Sequence, residues 1–141
     1  MDAEIGIIGG SGFYEFLHNA TTVLPTTPFG SPSAPITVGE VAGRRVAFVP
    51  RHGQRHQFPP HRVNYRANLW ALRSVGVRQV LAPAAVGSLK AEFGPGTFVV
   101  PDQVIDRTWG RKHTVYSAKG KVVHVGFADP CDSAPWPMGI P

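Results

Sequence analysis

The sequence predicts an α/β fold, and three observations carry that prediction. Short β-like runs recur between clusters of Gly and Pro. One stretch, from Tyr65 to Leu72, has apolar residues at helical spacing. A strand-like run lies on either side of it with short connections, the pattern of a right-handed parallel crossover. With 141 residues, 43% of them hydrophobic and 16% charged, the chain has room for one domain with a real core.

Composition excludes several classes. No run approaches the ~18 apolar residues of a membrane span. Met1-Asp2-Ala3-Glu4 carries acids and no basic stretch, which argues against a signal peptide. A single cysteine, Cys131, leaves no internal disulfide and no cysteine cage for zinc, and suits a reducing cytoplasm. The formal charge of +5 raises nucleic acid as a partner. Yet the basic residues are spread along the chain, with one short cluster between residues 51 and 66 and no finger spacing or RNA-binding signature, so nucleic acid is set aside.

In chain order, residues 4–8 read as a first, apolar strand that ends abruptly at Gly9-Gly10-Ser11-Gly12. Glycines there let the backbone approach a ligand, successive N–H groups can form an anion-binding nest, and the Ser11 hydroxyl adds a donor. A tight turn with no ligand is the other reading. Neither the dinucleotide fingerprint nor a P-loop is completed: position 15 is Glu15, and no Gly-Lys-Ser/Thr follows. Residues 22–24, 36–38 and 45–49 are strand candidates, with Gly43-Arg44 as the hairpin turn between the last two and residues 27–33 as a loop. Pro59-Pro60 breaks the chain before the helix, which begins near Val63 or Asn64. Tyr65, Leu69 and Leu72, widened by Ala67, Trp70 and Ala71, form its apolar face; Tyr65 and Trp70 read as core. Gly76 caps the helix and residues 77–82 make the next strand. Residues 97–100 read as a strand, and residues 121–127, which contain His124, are a last strand candidate. Residues 131–141 hold three prolines and no periodicity, and read as a tail.

The stretch with most chemistry is Pro50-Arg51-His52-Gly53-Gln54-Arg55-His56, directly after an apolar strand. In open α/β sheets ligands bind at the carboxyl ends of strands. Arginine offers a planar fork that fits phosphate bidentately, and histidine adds a donor of adjustable charge. A solvated basic loop is the bland alternative. A second strand end, Ala84-Ala85-Val86-Gly87, has small side chains that leave backbone N–H groups accessible. Asp102 and Asp106 have the form of an acid/base pair, but a structural role at a surface suits them better. Three strand ends of one type therefore suggest a phosphate pocket.

Ile5-Gly-Ile-Ile-Gly-Gly-Ser-Gly12, Thr27-Pro-Phe-Gly30, Arg51-His-Gly53, Val63-Asn-Tyr-Arg-Ala-Asn-Leu-Trp-Ala-Leu72, Ala85-Val-Gly-Ser-Leu89 and Pro101-Asp-Gln-Val-Ile-Asp-Arg-Thr108 together resemble the trimeric purine nucleoside phosphorylases, and among them the methylthioadenosine-cleaving members. The resemblance runs from residue 5 to about residue 130. It implies a mixed central sheet flanked by helices, residues 1–130 being the N-terminal part of a phosphorylase domain. It implies phosphorolysis of a purine nucleoside, with inorganic phosphate as co-substrate and no metal or organic cofactor. Ser11, Arg51, His52, Ala84 and Ala85 would bind phosphate, and His56 would lie close to it. His124 would reach a neighbouring subunit's nucleoside in a homotrimer. Many relatives have a hydroxyl residue at Ala84, so one neutral contact, worth ~1 kcal/mol, would be lost or made by backbone. The residues that read the purine, and the choice between 6-amino and 6-oxo bases, belong to a second half that this sequence lacks. The expectation is thus the N-terminal half of such an enzyme, or a phosphate-binding fragment of one.

Overall fold

A computed structural model describes residues 2–10 and 17–128 of the chain. It divides into two compact units: residues up to Val86 together with Lys112–Val115, and Gly87–Arg111 with the segment from Tyr116 onward. The tail at residues 131–141 lies outside the described residues.

Among the described residues, the first unit holds the helix and strands. Five strands, β1 (Ile5–Gly9), β2 (His18–Val23), β3 (Ile36–Val41), β4 (Arg44–Pro50) and β5 (Gln79–Leu81), form one sheet in the order β2-β3-β4-β1-β5. β1 runs parallel to β4 and to β5, whereas β2-β3 and β3-β4 are antiparallel. The sheet is therefore mixed, as the resemblance implies.

The β3-β4 hairpin turns at Ala42 and Gly43, both with positive φ (+49° and +75°), the pair of left-handed residues that a two-residue hairpin needs. This corrects the turn by one residue: Arg44 is already paired with Val41. β2 starts earlier than its sequence suggests and stops at Val23, leaving Leu24 exposed. Its register shifts between His18 and Thr21, at the positive-φ Asn19.

A 3-10 turn, Pro60–Arg62, leads into α1 (Tyr65–Ser74), the one α-helix among the described residues. Asn64 caps it, its side chain accepting from the Ala67 N–H at 3.2 Å. The buried face of α1 differs from the expected one. Ala67, Asn68, Ala71 and Leu72 face inward, and Leu69 and Trp70 are each 44% exposed. The inward stripe thus follows i, i+1, i+4, i+5 spacing and accepts one polar member, which turns Trp70 away from the core. Trp70 packs edge-on against Phe29 instead, with centroids 5.7 Å apart. Asn68 is fully buried because Ser33 satisfies it: its Oδ1 accepts from Ser33 N at 2.7 Å and its Nδ2 donates to Ser33 Oγ at 2.9 Å.

The core gathers Ile8, Ile36, Val38, Ala47 and Val49 from the sheet with Ala71, Leu72, Val75 and Val77 from the helix and its exit. Gly6 sets how closely these layers meet. A Cβ there would sit 2.8 Å from Val77 Cγ1 and 3.2 Å from Leu72 Cδ1.

The second unit departs from expectation. Residues 97–100 and 121–127 are not strands, and most of their apolar side chains are exposed. Their backbone bonds, Thr97 N–H to Gly94 O and Lys121 N–H to Ala118 O, only close local turns. A β-prone run becomes a strand only beside a hydrogen-bonding neighbour, and these runs have none among the described residues.

Two substitutions test this packing. Gly6→Ala should lower stability by about 1–3 kcal/mol through overpacking, because Val77 is β-branched and cannot swing aside. Asn68→Leu, though apolar and helix-compatible, should cost about 1–3 kcal/mol because it strands the buried Ser33 N–H. Urea denaturation midpoints measure both; an unchanged midpoint for either would refute the corresponding contact.

Candidate phosphate site

The parallel trio β4-β1-β5 sends three carboxyl ends in one direction, at Pro50, Gly9 and Leu81. Arg51 follows β4 directly. Its N–H donates to Gly9 O at 2.8 Å and so continues the parallel pairing by one residue. Its Nη2 donates to Ile8 O at 3.0 Å and to Pro83 O at 2.7 Å. The residue that follows β4 therefore bonds both the end of β1 and the chain leaving β5. Ala84 and Ala85, both exposed, come directly after the carbonyl it holds. Ser11 lies outside the described residues; Gly10, just before it, is partly exposed at the end of β1.

His52 opens a closed loop. Phe58 N–H donates to His52 O at 3.1 Å, and His52 Nδ1 lies 2.8 Å from Phe58 O. A carbonyl can only accept, so Nδ1 bears the proton and Nε2 is left as the other ring nitrogen. The turn inside needs two left-handed residues, Gly53 (φ +79°) and His56 (φ +52°). His56 stacks on His52, with rings 5.8 Å apart and 11° from parallel. The structure thus brings together Arg51, His52, His56 and the start of the Ala84-Ala85 segment. His124 belongs to the second unit, where it is exposed and in no regular element.

Asp106 Oδ1 accepts from Thr108 N–H at 2.8 Å, a local turn contact that gives this acid a structural task. Among the described residues, His, Cys, Asp and Glu nowhere gather in threes as a metal would require, and no helix is long and apolar enough to cross a membrane.

Two features of the site went unread in the sequence. Between Glu40 and Glu92 there is not one acidic residue, while eight arginines and Lys90 stand in that span. The strand end carrying Arg51 therefore has no carboxylate near it in sequence to compete with an anion; the signal was the absence of acids rather than a run of bases. The second is the pinning of the loop over residues 27–33. Asn64 Nδ2 donates to Phe29 O at 2.8 Å and to Ser31 O at 3.2 Å, and the Arg66 guanidinium lies 4.6 Å over the Phe29 ring. Asparagines one turn apart at the start of the helix were its trace.

The family model of the Phosphorylase superfamily matches residues 4–135. A purine nucleoside phosphorylase of Streptomyces coelicolor is 61% identical over 137 residues, covering 92% of this chain and 49% of its own. An S-methyl-5'-thioadenosine phosphorylase of Mycolicibacterium smegmatis is 61% identical over 127 residues, covering 89% and 48% respectively. A crystal structure of a methylthioadenosine phosphorylase from an antarctic soil metagenomic library superposes with a TM-score of 0.85 at 47% identity, over 92% of this chain and 45% of that one. The Schistosoma mansoni methylthioadenosine phosphorylase in complex with tubercidin gives a TM-score of 0.82 at 44% identity, over 92% and 47%. The chain spans about half the length of the curated relatives it matches. With its mixed sheet, its matched span and these identities, the chain belongs to the Phosphorylase superfamily, corresponding to the N-terminal half of its methylthioadenosine and purine nucleoside phosphorylases.

Proposed function

We propose that this chain supplies the phosphate side of an enzyme that cleaves methylthioadenosine by phosphorolysis, in purine and methionine salvage. The observation that carries the reading is the gathering of three parallel strand ends at one arginine, two of them within a stretch free of acids. Such an edge offers backbone N–H groups and a fixed positive charge without reorganisation, the preorganised electrostatics that anion binding and charge-developing transition states require.

In the reaction a phosphate oxygen bonds to C1′ of the pentose as the bond from C1′ to the purine nitrogen breaks. The electron pair leaves with the base, which takes up a proton, and the products are free purine and a pentose 1-phosphate. Positive charge builds on the sugar at the transition state, and a phosphate held against it both attacks and neutralises that charge. Arg51 and the backbone amides at Gly10 and Ala84-Ala85 hold phosphate here, with Ser11 adding a hydroxyl. His52 and His56 stand beside it. His124 extends to the nucleoside of a neighbouring protomer in a homotrimer. The setting is the cytoplasm, and neither metal nor organic cofactor takes part.

A second reading is a preference for 6-oxopurine nucleosides such as inosine and guanosine. It is favoured by the 61% identity to the Streptomyces coelicolor protein named a purine nucleoside phosphorylase. The groups that would decide between bases lie outside the strand ends described here.

The expected outcome for the 141-residue chain is binding of inorganic phosphate without turnover. Joined to the C-terminal half of the Mycolicibacterium smegmatis relative, it should release adenine from methylthioadenosine in a phosphate-dependent assay, faster than it releases hypoxanthine from inosine. Faster hypoxanthine release would establish the second reading. Failure of the chain to bind phosphate would remove the phosphate site.

A further inference from the structure

Both side-chain bonds of Arg51 leave from a single nitrogen, Nη2. That nitrogen has two protons, and two carbonyls take them. A guanidinium has two bidentate forks, Nε with Nη2 along its side and Nη1 with Nη2 at its tip. Nη2 belongs to both. With its protons on Ile8 O and Pro83 O, neither fork is intact, and among the described residues Nε and Nη1 remain as single donors. The planar fork expected from the sequence is therefore already in use.

The register of β1 and β5 explains why. Gln79 N–H donates to Glu4 O at 3.2 Å, and the pairs Ile5↔Gln79 and Ile7↔Leu81 advance two residues at a time. The next donor in that series, the one due to Ile8 O, is the N–H of residue 83. Residue 83 is proline and has none. The opposite edge of β1 offers no substitute, because there Gly9 O is taken by Arg51 N–H. Arg51 Nη2 stands where the missing proton would be, and its second proton holds Pro83 O itself. β5 has only three residues and one neighbour in the sheet, so its exit is the weakest part of the edge.

We propose that Arg51 is a positioning residue, a side-chain splice that replaces the N–H absent at Pro83 and fixes the Ala84-Ala85 segment against the end of β1. It meets phosphate through one donor, Nε or Nη1, and most of its effect on phosphate comes through the backbone amides it aligns. The splice stands on the geometry of β1 and β5 alone; its effect on phosphate rests on the function proposed above.

Proline makes this testable, because alanine at residue 83 restores the backbone donor. Amide hydrogen exchange of the 141-residue chain without phosphate, and titration with inorganic phosphate, are measured for wild type, Arg51→Ala, Pro83→Ala and the double variant. Arg51→Ala should speed exchange at Ile8 and at residues 79–82 about tenfold and weaken phosphate about tenfold or more. Adding Pro83→Ala to it should return exchange to within about threefold of wild type and recover most of the lost affinity. Pro83→Ala alone should tighten phosphate several-fold, since it releases a proton of Nη2 and restores a fork. That single variant decides the matter should Arg51→Ala not fold. Unchanged exchange in Arg51→Ala overturns the splice. Restored exchange without restored affinity in the double variant overturns the positioning role and makes Arg51 a direct ligand only, and unchanged affinity in Pro83→Ala overturns the claim that the splice occupies the phosphate fork. A wild-type chain that binds no phosphate defeats the proposed function, while exchange still decides the splice.

Discussion

Everything in the first unit depends on β1 having neighbours on both sides that run its own way. A strand flanked by two parallel partners has its carboxyl end in the middle of a row of carboxyl ends, so three loops emerge side by side. That arrangement requires the chain to travel from β4 to β5 by way of α1, passing over β1. The helix can lie close enough only because β1 has glycine at position 6, opposite Val77 and Leu72. A missing side chain in the middle of one strand thus sets the distance between layers, and the layers set where the loops at the far end of the strands emerge.

The same elements show what was legible in the sequence. β1, β3, β4 and α1 were readable because each agrees with a local rule: apolar runs ended by glycine, a two-residue turn, and a capped helix ahead of Gly76. The face of α1 was not readable from hydrophobicity. Asn68 is buried through a partner, Ser33, that lies 35 residues away, and no local pattern reports such a pairing. Of the site, the strand ends carrying Arg51 and Ala84-Ala85 could be named from motif and resemblance. The guanidinium's commitment to two carbonyls could not, since it follows from a register between β1 and β5 that only the folded sheet defines.

Residues 97–100 and 121–127 illustrate the opposite case. Their composition favours strands, yet neither run forms one. Strand formation, however, is a property of pairs. A β-prone run with no neighbour keeps its backbone polar groups on water or in local turns and leaves its side chains exposed. The second unit has that character throughout its described residues, with Leu89, Phe98 and Trp109 almost fully exposed.

The topology also ranks the pairings by the entropy of closing them. β3 and β4 are joined by two residues, so their pairing closes almost no loop and needs nothing else to form. The pairing of β1 with β4 spans about forty residues of sequence and that of β1 with β5 more than seventy, each carrying a larger entropy of closure before any contact rewards it. The edge at which the three loops meet is made entirely from these costly pairings, so its closure entropy is the largest in the first unit. A bound anion at that edge would therefore act as a clamp on the whole first unit, since it ties together the contacts that the chain finds hardest to make.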